Sequence, residues 1–173
     1  MGPPGKLGPT GRKGEPGLMG VTIIGQKGVK GETGERGSVP NSHASAFTVY
    51  RTSSLIVTSS LEVITYEEEE FDIGDDMDHT TGVYTCPVVG IYYFSFSMWS
   101  IGGLAMDIRL QVNGGDKGRV KNEKGSRLMP QGAGITLSLS AGDEVQLKVY
   151  SKTHIYGGRN KESFFTGFLL QSQ

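Results

Sequence analysis

Apolar and polar residues alternate along most of the chain beyond its first quarter. In the run 91–99, Tyr92, Phe94 and Phe96 would lie on one face and the residues between them on the other. This period of two is typical of half-buried β-strands. No segment keeps the helical period of an amphipathic helix. The pattern therefore predicts an all-β domain.

Several shorter segments alternate in the same way, and polar or glycine-rich turns separate them. Asn113-Gly114 and Ala141-Gly142-Asp143 are typical tight-turn sequences. Eight or more short strands within about 130 residues predict a two-sheet sandwich or jelly roll. Besides the run 91–99, the predicted strands are Ala46 to Tyr50, Val63 to Tyr66, Gly82 to Cys86, Met106 to Val112, Ile135 to Leu139, Val145 to Val149 and Phe164 to Leu170.

The first part of the chain follows a different rule. Glycine occupies every third position from Gly2 to Gly37, apart from one interruption at 21–24. Three polyproline-type chains wind together only with glycine at every third position, since no side chain fits at the axis. We therefore predict a collagen-like stalk at 2–37, a linker at 38–45 and a globular head at 46–173. A triple helix requires three chains, so we expect a homo- or heterotrimer, with higher oligomers as a further option.

The stalk also indicates where the protein acts. Pro4 and Pro16 occupy the third position of their triplets, which makes them hydroxyproline candidates. A collagen sequence requires the secretory route, so we expect an extracellular protein. Met1 leads straight into glycine without a signal peptide, which suggests a fragment. The sequence contains no apolar run of about 18 residues, so it predicts no membrane span.

Composition argues against several function classes. The net charge of −1 gives no basis for nucleic-acid binding. His43, His79 and His154 stand alone in sequence, and no motif pairs a nucleophile with a base or builds a phosphate loop. We therefore expect no enzyme and no resident cofactor. The single cysteine, Cys86, cannot form a disulfide within the head, so we expect a buried free thiol, with an interchain bond as the alternative.

Eight acidic residues crowd the segment 67–78. Carboxylate oxygens are the ligands that calcium prefers, but the spacing matches no EF-hand loop. A solvated loop is the favoured interpretation, and a calcium site is the alternative. The residues are Glu67, Glu68, Glu69, Glu70, Asp72, Asp75, Asp76 and Asp78.

A basic cluster follows later in the chain, where five cations share eleven residues with one acid, Glu123. Repeated in three subunits, the cluster would attract polyanions such as bacterial surface polymers or sulfated glycans. The alternative is a solvated face that offsets the acidic loop of a neighbouring subunit. The cations, which we expect in one loop region, are Lys117, Arg119, Lys121, Lys124 and Arg127.

A set of aromatic, acidic and glycine residues in the head has a distinctive spacing: Tyr66, Asp72, Met77, Tyr84, Gly90, Tyr92, Phe94 and Phe96. On these residues, nearly the whole head resembles the complement component 1q family. The closing segment Phe165-Thr166-Gly167-Phe168-Leu169-Leu170 and the opening Ala46-Phe47 look like that family's last and first strands. The family usually has Phe where this chain has Tyr66 and Tyr84, and an aromatic residue or Leu where it has Met77. All three departures keep bulk and apolar character. These three and the other residues of the set fall on the spacing of the family's head signature.

The resemblance implies a ten-stranded jelly roll, similar to tumour-necrosis-factor-like domains and packed as a tight trimer. Tyr92, Phe94, Phe96 and Phe168 are then expected in the core or the trimer contact. It also implies a secreted binding protein without a catalytic centre. Where the family binds calcium, it uses acids in a later loop, and the corresponding segment 129–134 has none here.

A six-residue stalk segment, Pro4-Gly5-Lys6-Leu7-Gly8-Pro9, resembles the motif by which collagen-stalked defence proteins hold complement-initiating serine proteases. This resemblance implies that the Lys6 ammonium reaches an acidic, calcium-bearing pocket. We therefore favour an innate-immune recognition subunit whose heads bind microbial, carbohydrate or altered-self surfaces. The alternative is a signalling ligand of the adiponectin type that engages a cell receptor. A purely structural collagen is disfavoured because the stalk is short.

Overall fold

A computed structural model of the chain describes residues 2–6, 8–20, 25–28, 30–31, 43–58, 61–100, 105–122, 128–150 and 153–173. The chain divides into two units, Met1–Ser38 and Val39–Gln173. In the first unit, the described residues are exposed and form neither helix nor strand. In the second, they form strands connected by turns. Across the described residues, no helix is long and apolar enough to cross a membrane.

The second unit holds thirteen strands within its described residues. Most are short, and the two longest have eleven residues each. The strands are β1 (Ala46–Arg51), β2 (Leu55–Val57), β3 (Glu62–Val63), β4 (Glu68–Ile73), β5 (Met77–Asp78), β6 (Val83–Thr85), β7 (Gly90–Ser100), β8 (Met106–Val112), β9 (Gly115–Asn122), β10 (Met129–Leu139), β11 (Glu144–Val149), β12 (Thr153–Tyr156) and β13 (Ser163–Ser172).

The strands form two antiparallel sheets. In the seven-stranded sheet, β7 pairs with β10 along one edge and with β13 and β12 along the other. The order continues from β13 through β1 to β4, and β2 pairs with β12. The six-stranded sheet has the order β5-β6-β11-β8-β9, with β3 paired to β11. The predicted two-sheet sandwich is confirmed.

The core lies between the sheets and is rich in aromatic rings. Alternation along β7 sends Tyr92, Phe94 and Phe96 inward, where each is at most 3% exposed. The ring of Phe47 on β1 lies 5.1 Å from that of Tyr84 and 5.0 Å from that of Phe165, measured between centroids. Each aromatic pair contributes about 0.5–1.5 kcal/mol beyond the burial of its area. This core holds the two sheets together, and the sheets position the surface residues.

The alternation does not predict five of the strands, namely β2, β4, β5, β9 and β12, so the total exceeds the expected ten or so. These strands have at most four residues or, in β4 and β9, charged residues on both faces. The predicted strand Val63 to Tyr66 is wrong in its extent, because β3 ends at Val63. Tyr66 is nevertheless buried, 3% exposed.

Candidate recognition surfaces

The outer face of the seven-stranded sheet carries exposed apolar side chains. Ala46 pairs with Ile73 on β4 and with Phe168 on β13, and Phe168 pairs with Tyr93 on β7. Directly opposite residues share a face of a sheet. Ile73, Phe168 and the neighbouring Phe71 are 50%, 39% and 43% exposed. We call these five residues the outer apolar face.

The expectation for Phe168 was the core or the trimer contact, and its position excludes the core. Its neighbour Gly167 takes the inward position, where a Cβ would lie 2.5 Å from Phe94 and 2.7 Å from Phe47. Successive strand residues face opposite ways, so Phe168 points outward, where its ring lies 5.5 Å from that of Tyr93 between centroids, at a tilt of 49°. Tyr92, like Phe94 and Phe96, is enclosed in the core. Of the four residues expected in the core or the trimer contact, Phe168 is the one whose ring a partner can reach.

Beside this face, a hollow of about 360 Å³ is lined by Thr48, Tyr50, Lys161, Phe164 and Thr166. Lys161 has a left-handed backbone, with φ of 60°. Its ammonium lies 2.6 Å from Glu70 Oε2 and 4.5 Å from the centroid of the Tyr50 ring. The hydrogen bond to Glu70 raises the pKa of Lys161. The hollow therefore combines an aromatic wall with the Lys161 cation, which already forms an ion pair with Glu70 of β4.

The basic cluster lies partly on a strand, not in a single loop as expected. Lys117, Arg119 and Lys121 belong to β9, which forms a hairpin with β8 through the Asn113-Gly114 turn. The turn itself was expected from the sequence, but the strand that follows it was not, because its core-facing residues include only one large apolar side chain, Val120. Lys124 and Arg127 lie outside the described residues.

Acids on the same hairpin neutralise part of this cluster. Arg119 donates to both carboxylate oxygens of Asp107, at 2.9 and 2.6 Å, which lowers the pKa of Asp107. Arg109 donates to Asp116 at 2.5 Å and stacks 3.7 Å from the centroid of the Tyr150 ring. Lys117 and Lys121 make no ion pair with any described residue. These two lysines are therefore the cations on β9 that remain available to a ligand.

The acidic segment is also more ordered than the solvated loop we expected, because β4 and β5 occupy most of it. Several of its carboxylates serve local hydrogen bonds. Asp72 accepts from the backbone amide of Met77 at 2.8 Å, and Asp78 accepts from the amide and hydroxyl of Thr80. The bonds to Thr80 and its neighbour lower the pKa of Asp78 to about 2. No three His, Cys, Asp or Glu side chains of the described residues are grouped to hold a metal ion.

The Asp76 carboxylate accepts fewer hydrogen bonds than the carboxylates of Asp72 and Asp78. Its Oδ2, like Oδ1 of Asp72, is buried without a hydrogen-bond partner within the described residues. Burial raises the pKa of Asp76, and the charge of Asp72 adds to this effect, whereas the Ser45 hydroxyl opposes it. Ser45, which precedes β1, also lies 2.7 Å from the Tyr84 hydroxyl. Burial at this site therefore disfavours the charged form of the Asp76 carboxyl.

Cys86 is a buried free thiol, 1% exposed. Its Sγ lies 3.1 Å from the carbonyl oxygen of Val88, and burial raises the pKa of the thiol. A protonated, enclosed sulfur is a poor nucleophile. The placement favours a structural role over an interchain disulfide.

In the stalk segment, Pro4, Gly5, Lys6, Gly8 and Pro9 are exposed, as is the second hydroxyproline candidate, Pro16. Leu7 lies outside the described residues. No described stalk residue forms an ion pair with the Lys6 ammonium. Its availability is what a docking role would require.

The head matches the family model described as the C1q domain over residues 46–170. The chain is 29% identical over 131 residues to one subunit of the complement C1q subcomponent of Rattus norvegicus, covering 72% of this chain and 50% of that protein. It is 30% identical over 128 residues to a different subunit of the same rat subcomponent, covering 74% and 51%. The chain thus spans about half the length of these curated relatives.

Solved structures agree with this match. The globular domain of zebrafish complement 1qA protein superposes with a TM-score of 0.63 at 25% identity, covering 75% of this chain and 99% of that one. Murine APRIL superposes with a TM-score of 0.60 at 11% identity, covering 73% and 99%, which shows a shared fold alone. The family match over most of the head and the two-sheet sandwich together show that this chain belongs to the C1q domain family.

Proposed function

We propose that this protein is a secreted, non-enzymatic recognition subunit of innate immunity that works as a trimer. Its heads bind microbial, carbohydrate or altered-self surfaces, and its stalk recruits complement-type serine proteases. The observation that carries the proposal is a C1q domain with an exposed apolar sheet face in a chain that also has a Gly-X-Y repeat.

Two features support the trimer. A Cβ added at any described stalk glycine meets nothing within 4 Å, whereas a Cβ at Gly82 or Gly132 in the head would collide with backbone. The stalk glycines are therefore not required by contacts within their own chain, and close packing of three chains explains their spacing. In the head, the outer apolar face groups three exposed apolar side chains, and grouped apolar side chains on a surface mark protein contacts.

Anionic surfaces are the ligands that we propose for the basic cluster. Lys117 and Lys121 have no ion-pair partner among the described residues, and Lys124 and Arg127 follow them in sequence. Arg119 contributes less, since Asp107 holds its guanidinium. Three heads would present three such clusters, which strengthens weak individual contacts through multivalency.

Protease recruitment is proposed for Lys6 because an exposed ammonium at one stalk position is repeated three times in a trimer. A charge-assisted contact with a carboxylate contributes about 1.5–3 kcal/mol. Calcium would belong to the protease pocket in this arrangement, and the proposal requires no calcium in the head.

A pull-down from the plasma of the source animal tests this function. The full chain and its Lys6→Ala variant are used as bait, with and without calcium. We expect the parent to capture serine proteases and the variant to lose them, while both bind an anionic surface equally. If the parent captures no protease, or the variant captures as much, the complement role is wrong and the adiponectin-like signalling role becomes the better hypothesis.

A further inference from the structure

Two tight turns lie side by side at one end of the six-stranded sheet. The first, Asn113-Gly114, joins β8 to β9, and the second, 140–143, joins β10 to β11. Val112 at the end of β8 pairs with Val145 near the start of β11, which brings the two turns together. Asn113 and Gly114 both have a left-handed backbone, with φ of 50° and 79°.

The Asn113 side chain ties the first turn to the second. Its Nδ2 donates to Asp143 Oδ1 at 2.8 Å, and its Oδ1 accepts from the backbone amide of Glu144 at 2.9 Å. Through its other oxygen, Asp143 accepts from the backbone amide of Ser140 at 2.8 Å, which fixes the carboxylate within its own turn. We call the two hydrogen bonds of the Asn113 side chain the turn clasp.

An asparagine followed by glycine is also open to a chemical change. Asparagine is a thermolabile residue. The backbone nitrogen of the next residue attacks the side-chain Cγ and closes a five-membered succinimide ring, and Nδ2 leaves as ammonia with the proton that the backbone nitrogen gives up. Water then opens the ring, which leaves an aspartate or an isoaspartate.

Gly114 leaves this reaction unhindered by any side chain of its own. Glycine allows the closest approach of its backbone to another group, because it has no Cβ. Gly114 is exposed, and a Cβ built on it meets nothing within 4 Å, so water reaches the site. Nothing around the attacking nitrogen therefore protects Asn113, and any protection has to come from its own side-chain contacts.

We propose that Asn113 is a deamidation site and that Asp143 controls its rate through the turn clasp. The reaction turns the planar carboxamide into a tetrahedral centre and removes Nδ2, so the hydrogen bond from Nδ2 to Asp143 has to break. A carboxylate acceptor makes this bond stronger than a neutral acceptor would. The Glu144 amide holds Oδ1 at the same time, which resists rotation of the carboxamide.

Deamidation would also open the clasp permanently, because it removes the donor. The Ser140 amide and the Asn113 side chain lower the pKa of Asp143, and the charge of Lys117 adds to this effect, so Asp143 is ionised at neutral pH. The product places a second carboxylate next to it, and like charges repel. Asn113→Asp should therefore lower the melting temperature of the head by about 4 °C, through the lost hydrogen bond.

The test incubates the folded full chain at physiological temperature and pH and follows the peptide that contains Asn113 by mass spectrometry. We expect Asp143→Ala to deamidate at Asn113 about fivefold faster than the parent, since one hydrogen bond is lost. Asp143→Asn keeps an acceptor oxygen without its charge and should fall between the two. The parent unfolded in urea gives the rate without any clasp. Asn160, which lysine follows, is the internal control and should stay intact.

Tyr84→Phe separates protection by the clasp from general stability, because it removes the hydrogen bond between Tyr84 and Ser45 and leaves the clasp in place. This variant should deamidate at the rate of the parent. The inference is overturned if Asp143→Ala reacts no faster than the parent, if the folded parent reacts as fast as the unfolded one, or if Tyr84→Phe accelerates the reaction equally. These rates require neither a ligand nor a trimer, so they leave the proposed function untouched.

Discussion

Phe168 offers a direct test of which face of the head is covered in the assembly. Phe168 is 39% exposed and lies beside Tyr93. A phenylalanine buries about 200 Å² when fully covered, so roughly 80 Å² remains for a partner to cover. At about 25 cal/mol per Å², covering it contributes about 2 kcal/mol per subunit, or about a thirtyfold change in affinity per contact.

The variant Phe168→Ser should therefore weaken trimer formation strongly. The isolated head should lose only the aromatic contact with Tyr93, about 0.5–1.5 kcal/mol of its unfolding free energy. Ile56→Ser is the matched control, because Ile56 on β2 is more exposed, at 62%, but does not belong to the outer apolar face.

Both variants are compared with the parent by sedimentation at matched concentrations and by thermal unfolding. We expect Phe168→Ser to shift the mass toward that of a monomer and Ile56→Ser to leave it unchanged. The reasoning fails if Phe168→Ser assembles as the parent does, or if Ile56→Ser disrupts assembly equally.

Three further outcomes are expected. Lys6→Arg should fail to capture protease, because a planar guanidinium does not replace a compact ammonium in a carboxylate pocket; capture equal to that of the parent in a pull-down would contradict this. Changing Lys121, Lys124 and Arg127 together to Ala should weaken binding to a sulfated glycan and flatten its salt dependence. An unchanged affinity in a salt titration would show that the cluster is solvated surface without a binding role. Burial raises the pKa of Asp76 above the ordinary 3.8, so the native head binds a proton that the unfolded chain releases, and stability should fall as pH rises through that window. Asp76→Asn should flatten this part of the profile and raise the melting temperature at neutral pH; an identical pH profile of thermal unfolding would refute the assignment.

Strict alternation explains why the central strands could be predicted. From Tyr92 to Met98 in β7, and along β8 and β11, every second side chain is apolar and buried, so the pattern and the structure coincide. The same logic fails at the edges of the sheets. β4 begins with three glutamates and β9 carries Lys117, Arg119 and Lys121, because an edge strand exposes most of its side chains. Their strand character comes from pairing with β1 and β8, which no local pattern reveals.

The surfaces were harder to predict than the core for a related reason. β13 has apolar residues on both faces, so its sequence does not say that Phe165 points inward and Phe168 outward. Gly167 determines the orientation of the strand, because a Cβ at this position would collide with the core rings of Phe94 and Phe47. Likewise, the pairing of Arg119 with Asp107 depends on the register of the β8–β9 hairpin, and that pairing leaves Lys117 and Lys121 as the cations of β9 without an ion pair within the described residues.

The mass of the full chain in solution tests the central claim most directly. Sedimentation equilibrium at micromolar concentration measures it without any assumption about shape. A trimeric recognition subunit should show three times the 18.6 kDa mass of the chain. A species of 18.6 kDa that persists as concentration rises would contradict the trimer, and with it the proposed function.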